Sequence, residues 1–394
     1  MATHLAAVAL AKGDPFVVQT RPTPRPGPDE LLIEVKSVAL NPADRLMRDQ
    51  GLFIPTYPTV IGFDIAGLVL EVGENVPVDA TADDDGVAGL RRPLFQPGVT
   101  RVAAYAASFW RSFGPDYGAF QERCLVPWQH AAPLPDEGIS WNQAATLPVA
   151  VQVPLSAWDA MGLPRVGEAT ASSSSSSSSS FSVSAAASVG LDVNEEARDD
   201  KRHKREALLV WGASSSVGTM GVQTARLLRG DHDSAIAAVY AVCGAANRTY
   251  VGSLGADRVF DYKDPRVVGA IVSAAGEDGL TIRHCFLATG QLAPCQARGR
   301  KKAKIASAPV VPPDAEEVEG METIFVMPSM GEGERMAQFR YWMGTWMRQK
   351  LAGGAIRPSP DPRVVGKGLE AINAGLDVLA RGVSCAKLVV EVAE

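Results

Sequence analysis

The sequence predicts an α/β protein in two parts, a β-rich part and a doubly wound parallel sheet covered by helices. Three observations predict this fold class. Residues 1–150 contain short apolar runs separated by proline and glycine, a pattern typical of antiparallel strands. Between residues 207 and 330, strand patterns alternate with helical patterns, which indicates parallel strands joined by helical crossovers. After residue 330 come two helical patterns and one more strand pattern.

These patterns place the domain boundaries. We expect a β-rich domain at residues 1–150, completed by a C-terminal return at 331–394, and a parallel-sheet domain at 151–330. The strands expected in the first domain, in chain order, are 5–11, 31–38, 65–72, 101–106 and 120–126. In the second domain we expect strands at 207–211, 235–243, 259–262 and 284–288, and in the return helices at 336–351 and 368–381 and a strand at 387–392.

Three segments have the composition of surface insertions. Residues 165–206 contain nine consecutive serines, Ser172–Ser180, followed by a dense run of charges. Such a segment cannot bury enough apolar surface to offset the entropy lost on ordering, so we predict a disordered loop that interrupts the parallel-sheet domain. Residues 77–94 form a shorter acidic insertion, and residues 298–304 form a basic one.

The segment from residue 207 to 228 has the pattern of a nucleotide-binding turn. An apolar strand is followed by a turn of small residues and then by a helix on which Val217, Met220 and Leu227 recur at helical spacing. In this geometry, backbone N–H groups and a helix N-terminus hold a diphosphate. The residues expected to contact it are Ser214, Ser215, Ser216, Val217 and Gly218. The strict glycine fingerprint is absent, because Ala213 and Ser215 stand at two of its three places, so an ordinary strand–helix turn remains the alternative.

The second strand of this domain indicates which dinucleotide is bound. NAD-binding sites place an Asp or Glu at the end of that strand to accept from the adenosine ribose. No acidic residue occurs between Ala235 and Gly255, and the strand is followed instead by Asn247 and Arg248. These side chains suit a 2′-phosphate, so the sequence favours NADP(H) over NAD(H). A solvated Arg248 is the alternative.

Composition excludes several classes of function. The net charge of −6 and the pI near 5.5 argue against nucleic acid or an anionic membrane as the main partner. The five cysteines are scattered without a C-x-x-C pair, as expected for a reducing compartment. The N-terminal apolar run lacks a basic flank, and Pro148 and Pro154 interrupt the most apolar later stretch. We therefore expect a cytoplasmic protein with no membrane partner.

Four local motifs resemble the medium-chain dehydrogenase/reductase superfamily. They are residues 41–45 (NPADR), 58–73 (PTVIGFDIAGLVLEVG), 144–148 (AATLP) and 254–262 (LGADRVFDY). The closest resemblance is to the zinc-independent quinone and enoyl reductase branch, including fungal trans-acting enoyl reductases. It implies a GroES-like β-rich catalytic domain followed by a Rossmann NADP(H)-binding domain.

The resemblance also implies roles for individual residues. Asn41 would face the nicotinamide and donate to substrate, although an Asn before a proline is equally natural in a turn. Tyr57 is the candidate proton donor, because Phe53 stands nearest the place where some relatives carry a tyrosine. Further cofactor contacts would come from Tyr262, Thr289 and Lys387.

Residue types also indicate whether the chain has ligands for a catalytic zinc ion. Zinc-dependent relatives carry a cysteine in the early loop and a Gly-His-Glu in the second motif, whereas this chain has Asn41, Phe63 and Asp64 around those places. Catalytic zinc needs three protein ligands, and the five histidines are widely spaced, so no metal is expected.

The sequence therefore predicts an NADPH-dependent reductase that adds a hydride to an activated C=C bond or a quinone without zinc. The Met- and aromatic-rich stretch at residues 325–347 suggests either a core helix or the pocket of a hydrophobic small-molecule substrate. Alternatives are a one-electron quinone reductase, a non-catalytic nucleotide-binding or structural relative, and a disfavoured NAD-dependent alcohol dehydrogenase. We expect a monomer or a homodimer.

Overall fold

The computed structural model describes residues 2–77, 94–166, 205–296 and 302–392. Most of the three predicted insertions, at 77–94, 165–206 and 298–304, lies outside the described residues. The described chain forms a two-stranded ribbon, a seven-stranded mixed sheet and a six-stranded parallel sheet. This mixed architecture, with a β-rich part and a Rossmann-type parallel sheet, confirms the predicted fold class. The domain boundaries at residues 150 and 330 stay predictions.

The seven-stranded sheet is built mostly from the first part of the chain. Its central strand, β3, is buried along nearly its whole length, because it pairs with β4 and β6 and has the C-terminal strand on its other side. The strands here are β1 (Thr3–Val8), β2 (Val17–Pro22), β3 (Glu30–Ala39), β4 (Asp64–Val72), β5 (Arg101–Tyr105), β6 (Arg123–Pro127) and β7 (Ala131–Pro133), with helices α1 (Pro42–Gln50) and α2 (Trp141–Ala145).

The parallel sheet has doubly wound topology. Its elements are β8 (Glu206–Trp211), β9 (Ile236–Cys243), β10 (Arg258–Asp261), β11 (Thr281–Leu287), β12 (Ala303–Ser307) and β13 (Met321–Phe325), with helices α3 (Pro148–Met161), α4 (Ser216–Gly230), α5 (Arg248–Ser253), α6 (Val267–Glu277) and α7 (Ala293–Gln296). The sheet order is β10-β9-β8-β11-β12-β13, all parallel. The chain starts in the middle, winds to one edge, and then returns to the centre at β11. Such a reversal opens a crevice at the carboxyl ends of the two central strands.

The C-terminal return joins the first sheet again. One long helix comprises α8 (Glu332–Phe339), a π-helical segment (Arg340–Met347) and α9 (Arg348–Ala352), and it is followed by β14 (Pro362–Lys367), α10 (Ala371–Ala380) and β15 (Lys387–Glu391). Strand β15 pairs with β14 and, antiparallel, with β3. Helix α10 begins later than the sequence predicts, because Gly368 has a left-handed φ of 74°.

Two apolar clusters hold the described chain together. The larger joins the β-rich part to one face of the parallel sheet, and the smaller covers the other face of that sheet. Much of the Met- and aromatic-rich stretch belongs to the larger cluster, where Trp342, Met343, Trp346 and Met347 are buried. These four residues therefore serve as core. Among the described helices, none combines the length and the apolar character that a bilayer span requires.

Candidate functional site

A cleft of about 610 Å³ opens at the carboxyl ends of the central strands of the parallel sheet. Its walls come from the turns after β8, β9, β10 and β11 and from the segment that precedes β15. Its described lining residues include Ser214, Ser215, Asn247, Tyr262 and Thr289, all of them predicted cofactor contacts. The cleft therefore brings together five predicted residues from four separate parts of the chain.

Glycines shape the turn between β8 and α4. Gly212 has a φ of 78°, and a Cβ placed on it would lie 2.6 Å from both Cγ2 and the carbonyl oxygen of Thr289. A Cβ on Gly218 would lie 2.2 Å from the carbonyl oxygen of Gly212. Only glycine fits at either position, so the backbone can close tightly beneath the cleft. Gly212 was not among the predicted cofactor contacts, although a glycine directly after a buried strand could have indicated a tight turn there.

The N-terminus of α4 has the features of an anion site. The Ser215 hydroxyl caps the helix by accepting from the Gly218 N–H at 3.1 Å. The Ser216 hydroxyl is buried and has no hydrogen-bond partner among the described residues. A buried orphan donor at the start of a fifteen-residue helix fits a bound phosphate oxygen. The predicted serine turn therefore suits a diphosphate, while the Gly218 N–H is already used by the cap.

Small residues and one aromatic ring form the far end of the cleft. Cys243 and Gly244 end β9, and the cleft has no acidic residue among its described lining residues. Asn247 Nδ2 donates to Ser384 Oγ at 2.9 Å, which ties this wall to the segment before β15. Tyr262 is 54% exposed and presents its ring to the cleft. Arg248 is exposed at the start of α5, one residue beyond Asn247, and does not itself line the cleft.

A second polar cluster is buried where the start of α1, β4, β15 and the start of α3 meet. Lys387 Nζ lies 3.0 Å from Asp64 Oδ2 and donates to Asn41 Oδ1 at 2.5 Å. Asn41 Nδ2 donates to the same Asp64 oxygen at 2.9 Å. The other Asp64 oxygen accepts from the Val149 N–H at 2.7 Å, at the start of α3. Asn41, Asp64 and Lys387 are 5%, 0% and 4% exposed, so the lysine compensates a carboxylate that has no access to water.

Asp44 adds a second carboxyl group to this cluster. Its Oδ2 accepts from the Asn41 N–H at 2.7 Å, whereas its Oδ1 is buried without a partner among the described residues. Burial raises the pKa of Asp44 to about 7, against the opposing effect of the Asn41 hydrogen bond, and the neighbouring Asp64 also raises it. The carboxyl group therefore titrates within the neutral range.

The surroundings of Asn41 and Lys387 differ from those the resemblance implies. Both hydrogen-bonding ends of the Asn41 amide are engaged by buried neighbours, so neither is free to reach a substrate. Lys387 is neither a solvated surface group nor part of the cleft wall. It begins β15 two residues after Cys385, which does line the cleft. Asn41 and Lys387 do lie together, because they contact each other and both contact Asp64.

Tyr57 does not join this cluster. Its hydroxyl lies against Gly51, where an added Cβ would be 3.0 Å from it, and it is buried without a hydrogen-bond partner among the described residues. Gly51 caps the C-terminal end of α1, and Asn41 caps the N-terminal end. The two caps are ten residue steps apart along the helix, which corresponds to about 15 Å. The structure therefore places the candidate proton donor far from Asn41.

Another tyrosine does lie beside the cluster. Tyr105 is the antiparallel partner of Asp64 across β4 and β5, so both side chains project from the same face of the sheet. Its ring packs against Phe63, Phe339 and His130, with centroids 5.0–5.9 Å apart. Burial raises the pKa of Tyr105 well above its ordinary value, and the carboxylates of Asp64 and Asp44 raise it further. Tyr105 is therefore a neutral hydroxyl near two carboxyl groups.

Sequence reasoning missed Tyr105 and the role of Asp64. The sequence could have indicated that Asp64 has a buried partner, because an acidic residue inside an otherwise apolar strand needs one. The identity of that partner could not be predicted, since Lys387 lies more than 300 positions away along the chain. Tyr105 lies within a predicted strand, and only the strand register shows what lies opposite it.

Comparisons with known proteins agree with this architecture. Residues 27–136 match the alcohol dehydrogenase GroES-like domain family. The chain is 36% identical over 395 residues to a trans-enoyl reductase of Aspergillus flavipes, covering 98% of each chain. It is 37% identical over 339 residues to a trans-enoyl reductase of Aspergillus terreus, covering 84% of this chain and 94% of the relative.

Solved structures share the fold across the whole chain. An alcohol dehydrogenase superfamily protein from Novosphingobium aromaticivorans matches with a TM-score of 0.68 at 17% identity, covering 99% of this chain and 100% of that one. The CurK enoyl reductase matches with a TM-score of 0.65 at 15% identity, covering 99% of both chains. At such identities these structures establish the fold alone.

The parallel-sheet cleft, the GroES-like domain and the long alignments define an oxidoreductase. The chain belongs to the medium-chain dehydrogenase/reductase superfamily, in the branch of enoyl and quinone reductases, which confirms the resemblance seen in the sequence. Membership implies a nicotinamide dinucleotide cofactor, and the cleft described above has the position and the residues to hold one.

Proposed function

We propose that this protein uses NADPH, without a metal ion, to reduce a C=C bond conjugated to a carbonyl group, or a quinone. The observation that carries the proposal is the combination of a glycine-lined cleft at the carboxyl ends of the parallel strands with a polar cluster in which the Lys387 ammonium already contacts the oxygens of Asn41 and Asp64. Relatives described as trans-enoyl reductases favour the conjugated alkene. The protein acts on a hydrophobic small molecule in the cytoplasm, as a monomer or homodimer.

The cofactor contacts follow from the cleft. The diphosphate would bind at Ser214, Ser215, Ser216 and the free N–H groups that begin α4, and Thr289 would form the opposite wall. When bound, the reduced dinucleotide supplies a hydride. Asn247, Tyr262 and Arg248 would hold the adenosine end. The lack of an acidic residue among the described lining residues, with Arg248 nearby, supports NADP(H) over NAD(H).

The donor set does not fit a catalytic zinc ion. Zinc requires three protein ligands with free lone pairs. Asn41 Oδ1 and Asp64 Oδ2 both contact the Lys387 ammonium, so a side-chain cation already lies between these oxygens. The described residues contain one group with metal-ligand spacing, Asp231–Asp233, which lies mostly exposed at the far end of α4 from the cleft. These observations support chemistry without zinc.

Tyr105, rather than the predicted Tyr57, is the tyrosine that suits contact with the reacting substrate. It is a neutral hydroxyl, it lies beside Asp64 and Asp44, and its ring is held by Phe63, Phe339 and His130. Addition of hydride to the β-carbon leaves negative charge on the substrate carbonyl oxygen, which is then removed by protonation. Because its pKa is raised, Tyr105 stays protonated, and we propose that it hydrogen-bonds the oxygen that carries the charge.

Oxidation of NADPH by candidate acceptors tests the proposal directly. We expect the absorbance at 340 nm to fall with at least one substrate among enones, enoyl thioesters and quinones, and to fall faster with NADPH than with NADH. Activity should survive dialysis against a chelator. Trapping of radicals during turnover would instead support one-electron quinone reduction. Absence of NADPH binding at micromolar cofactor would contradict the enzymatic proposal.

Replacing Tyr105 with phenylalanine should lower kcat about a hundredfold, which is the usual loss when one hydrogen-bond donor to a developing oxyanion is removed. NADPH affinity should be unchanged, because Tyr105 lies outside the cleft wall. Tyr57→Phe is the matched control and should stay within twofold of wild type. Steady-state kinetics with the best acceptor measure both variants. Equal losses of kcat in the two variants would show that Tyr105 has no specific role in the reaction.

Replacing Arg248 with glutamate should weaken NADPH binding at least about tenfold and NADH binding much less, because a carboxylate would repel the 2′-phosphate. Fluorescence titration of each dinucleotide measures the two dissociation constants. Arg363→Glu, an equal charge change at an exposed residue of β14, is the control and should alter neither. The same loss for both dinucleotides in Arg248→Glu would place Arg248 outside the phosphate site.

A further inference from the structure

Two free thiols lie in contact on the face of the parallel sheet that points away from the β-rich part. Cys285, in β11, is 5% exposed, and Cys295, in α7, is partly exposed. Both belong to the smaller apolar cluster, and the Cys285 S–H donates a hydrogen bond to the Cys295 sulfur. The sulfurs of a disulfide lie about 2.05 Å apart, so two thiols already in hydrogen-bond contact need only a small movement to form one.

A cavity of about 250 Å³ adjoins the thiol pair. Both cysteines line it, together with apolar side chains such as Ile271, Ala275 and Ile305. The empty space beside the sulfurs means that α7 can approach β11 without a clash. Because Cys295 is the partly exposed member of the pair, a small oxidant from the solvent reaches its sulfur first.

The thiol pair lies on either side of a loop that forms one wall of the dinucleotide cleft. Strand β11 ends at Leu287 and α7 begins at Ala293, so residues 288–292 form this loop. Thr289, which lines the cleft, belongs to it. A covalent bond between Cys285 and Cys295 would therefore fix both ends of the cleft wall.

The same loop packs closely against the nucleotide turn. A Cβ on Gly212 would lie 2.6 Å from the carbonyl oxygen of Thr289, and a Cβ on Gly290 would lie 3.2 Å from Trp211 Nε1. Trp211 and Pro294 each line both the cavity beside the thiols and the cleft. A movement of α7 toward β11 is therefore transmitted to the cleft, since there is no slack between the loop and the turn.

The two sulfurs differ in their chemistry. The hydrogen bond to Cys295, together with burial, raises the pKa of the Cys285 thiol well above its ordinary value. Cys285 therefore keeps its proton and acts as the donor, and the partly exposed Cys295 sulfur is the acceptor. A reachable cysteine beside a second cysteine that can displace its oxidised group is the arrangement found in thiols that sense oxidants.

We propose that Cys285 and Cys295 are a redox-sensitive pair that a peroxide converts to a disulfide, and that this bond weakens dinucleotide binding. The effect on the dinucleotide rests on the proposed function, whereas formation of the disulfide does not. The Cys295 sulfur attacks the O–O bond of the peroxide, forms an S–O bond and releases the first water. The Cys285 sulfur then displaces that oxygen, forms the S–S bond and releases the second water. The two thiols lose two electrons and two protons, and hydrogen peroxide is reduced to two waters.

Peptide mass spectrometry tests the disulfide without any cofactor. Trypsin cleavage after Arg283 and Arg298 gives one peptide, residues 284–298, that contains both cysteines and no others. After the native wild-type protein is treated with hydrogen peroxide and its remaining thiols are alkylated, we expect this peptide to be unalkylated and to have lost two hydrogens. Dithiothreitol should restore both thiols. A peptide that stays alkylated, or that gains oxygen without losing two hydrogens, would overturn the proposal.

Fluorescence titration with NADPH tests the consequence for the cleft. Peroxide treatment should weaken NADPH binding by wild type at least about tenfold, a usual size for coupling between two sites, and dithiothreitol should reverse the loss. Cys243 and Cys385 line the cleft and can also react with peroxide, so Cys285→Ala, which retains both of them, is the matched control. The loss should be largely absent from this variant. Equal losses in wild type and Cys285→Ala would assign the effect to the cleft thiols and contradict the coupling.

The two readouts separate this proposal from the proposed function. An untreated protein that binds no NADPH, but whose 284–298 peptide forms the disulfide, would disprove the proposed function and leave the thiol pair standing. Disulfide formation with NADPH affinity within twofold of the untreated protein would disprove the coupling. Cys295→Ala, at the partly exposed position, replaces Cys285→Ala as the control if the buried substitution prevents folding.

Discussion

Replacing Lys387 with methionine should reduce the free energy of unfolding by about 3–5 kcal/mol, the range measured when one member of a buried ion pair is removed. Asp64 is fully buried, and Lys387 is the cation that compensates its charge, at 3.0 Å. Methionine fills a similar volume but leaves the carboxylate unpaired. It also removes the donor to Asn41 Oδ1, so the amide loses one of its two anchors. Urea unfolding at neutral pH measures the effect.

Lys367→Met provides the matched control for this change. Lys367 pairs with Glu391 at 3.3 Å, but its side chain is 71% exposed, so water screens the pair. We expect a loss below about 1 kcal/mol there. The double variant Asp64→Asn with Lys387→Met should recover part of the stability lost in the single variant, because the carboxylate at position 64 is then no longer buried without its cation. A loss of less than 1 kcal/mol in Lys387→Met would show that Asp64 does not depend on this lysine.

Replacing Gly218 with alanine should both destabilise the protein and weaken dinucleotide binding. The new Cβ would lie 2.2 Å from the Gly212 carbonyl oxygen and 2.9 Å from Ala213 Cα. Neither backbone atom can move without opening the turn after β8. Overpacking of this kind costs about 1–3 kcal/mol. Because the same turn forms the floor of the cleft, we expect NADPH affinity to fall about tenfold or more.

Gly230→Ala separates this clash from the general effect of adding a methyl group to α4. Gly230 ends the same helix, and a Cβ there meets nothing within 4 Å. Alanine should leave stability within about 0.5 kcal/mol and NADPH binding unchanged, as for a surface substitution. Thermal unfolding and fluorescence titration measure both variants. If Gly218→Ala binds NADPH as tightly as Gly230→Ala does, the turn does not hold the diphosphate.

Local patterns predicted most of the secondary structure. Strands at residues 65–72, 207–211 and 235–243 appear within one or two positions of their predicted bounds, because each is a continuous apolar run ended by a turn residue. The helix predicted at 336–351 also forms, although part of it is π-helical. The first strand spans Thr3–Val8 and not the predicted residues 5–11. It pairs with β2 in a two-stranded antiparallel ribbon.

The two parts of the site differed in how far they could be predicted. The nucleotide turn is local, because its strand, its serines and its helix are consecutive, so Ser214 and Ser215 were predicted and do line the cleft. The polar cluster is not local. Asn41, Asp64 and Lys387 come from an early helix cap, a central strand and the final strand. The sequence analysis predicted that Lys387 contacts the cofactor, whereas the structure shows it paired with Asp64.

The sequence by itself determined the fold class, the superfamily, the small-residue turn after β8 and the absence of an acidic residue between Ala235 and Gly255. These features depend on residue types at short spacing, which periodicity and motif order express directly. Only the tertiary structure decided which tyrosine lies near the carboxyl groups and what neutralises Asp64. The reason is that strand register and packing across sheets bring together residues from distant parts of the chain, and no local pattern records which of them meet.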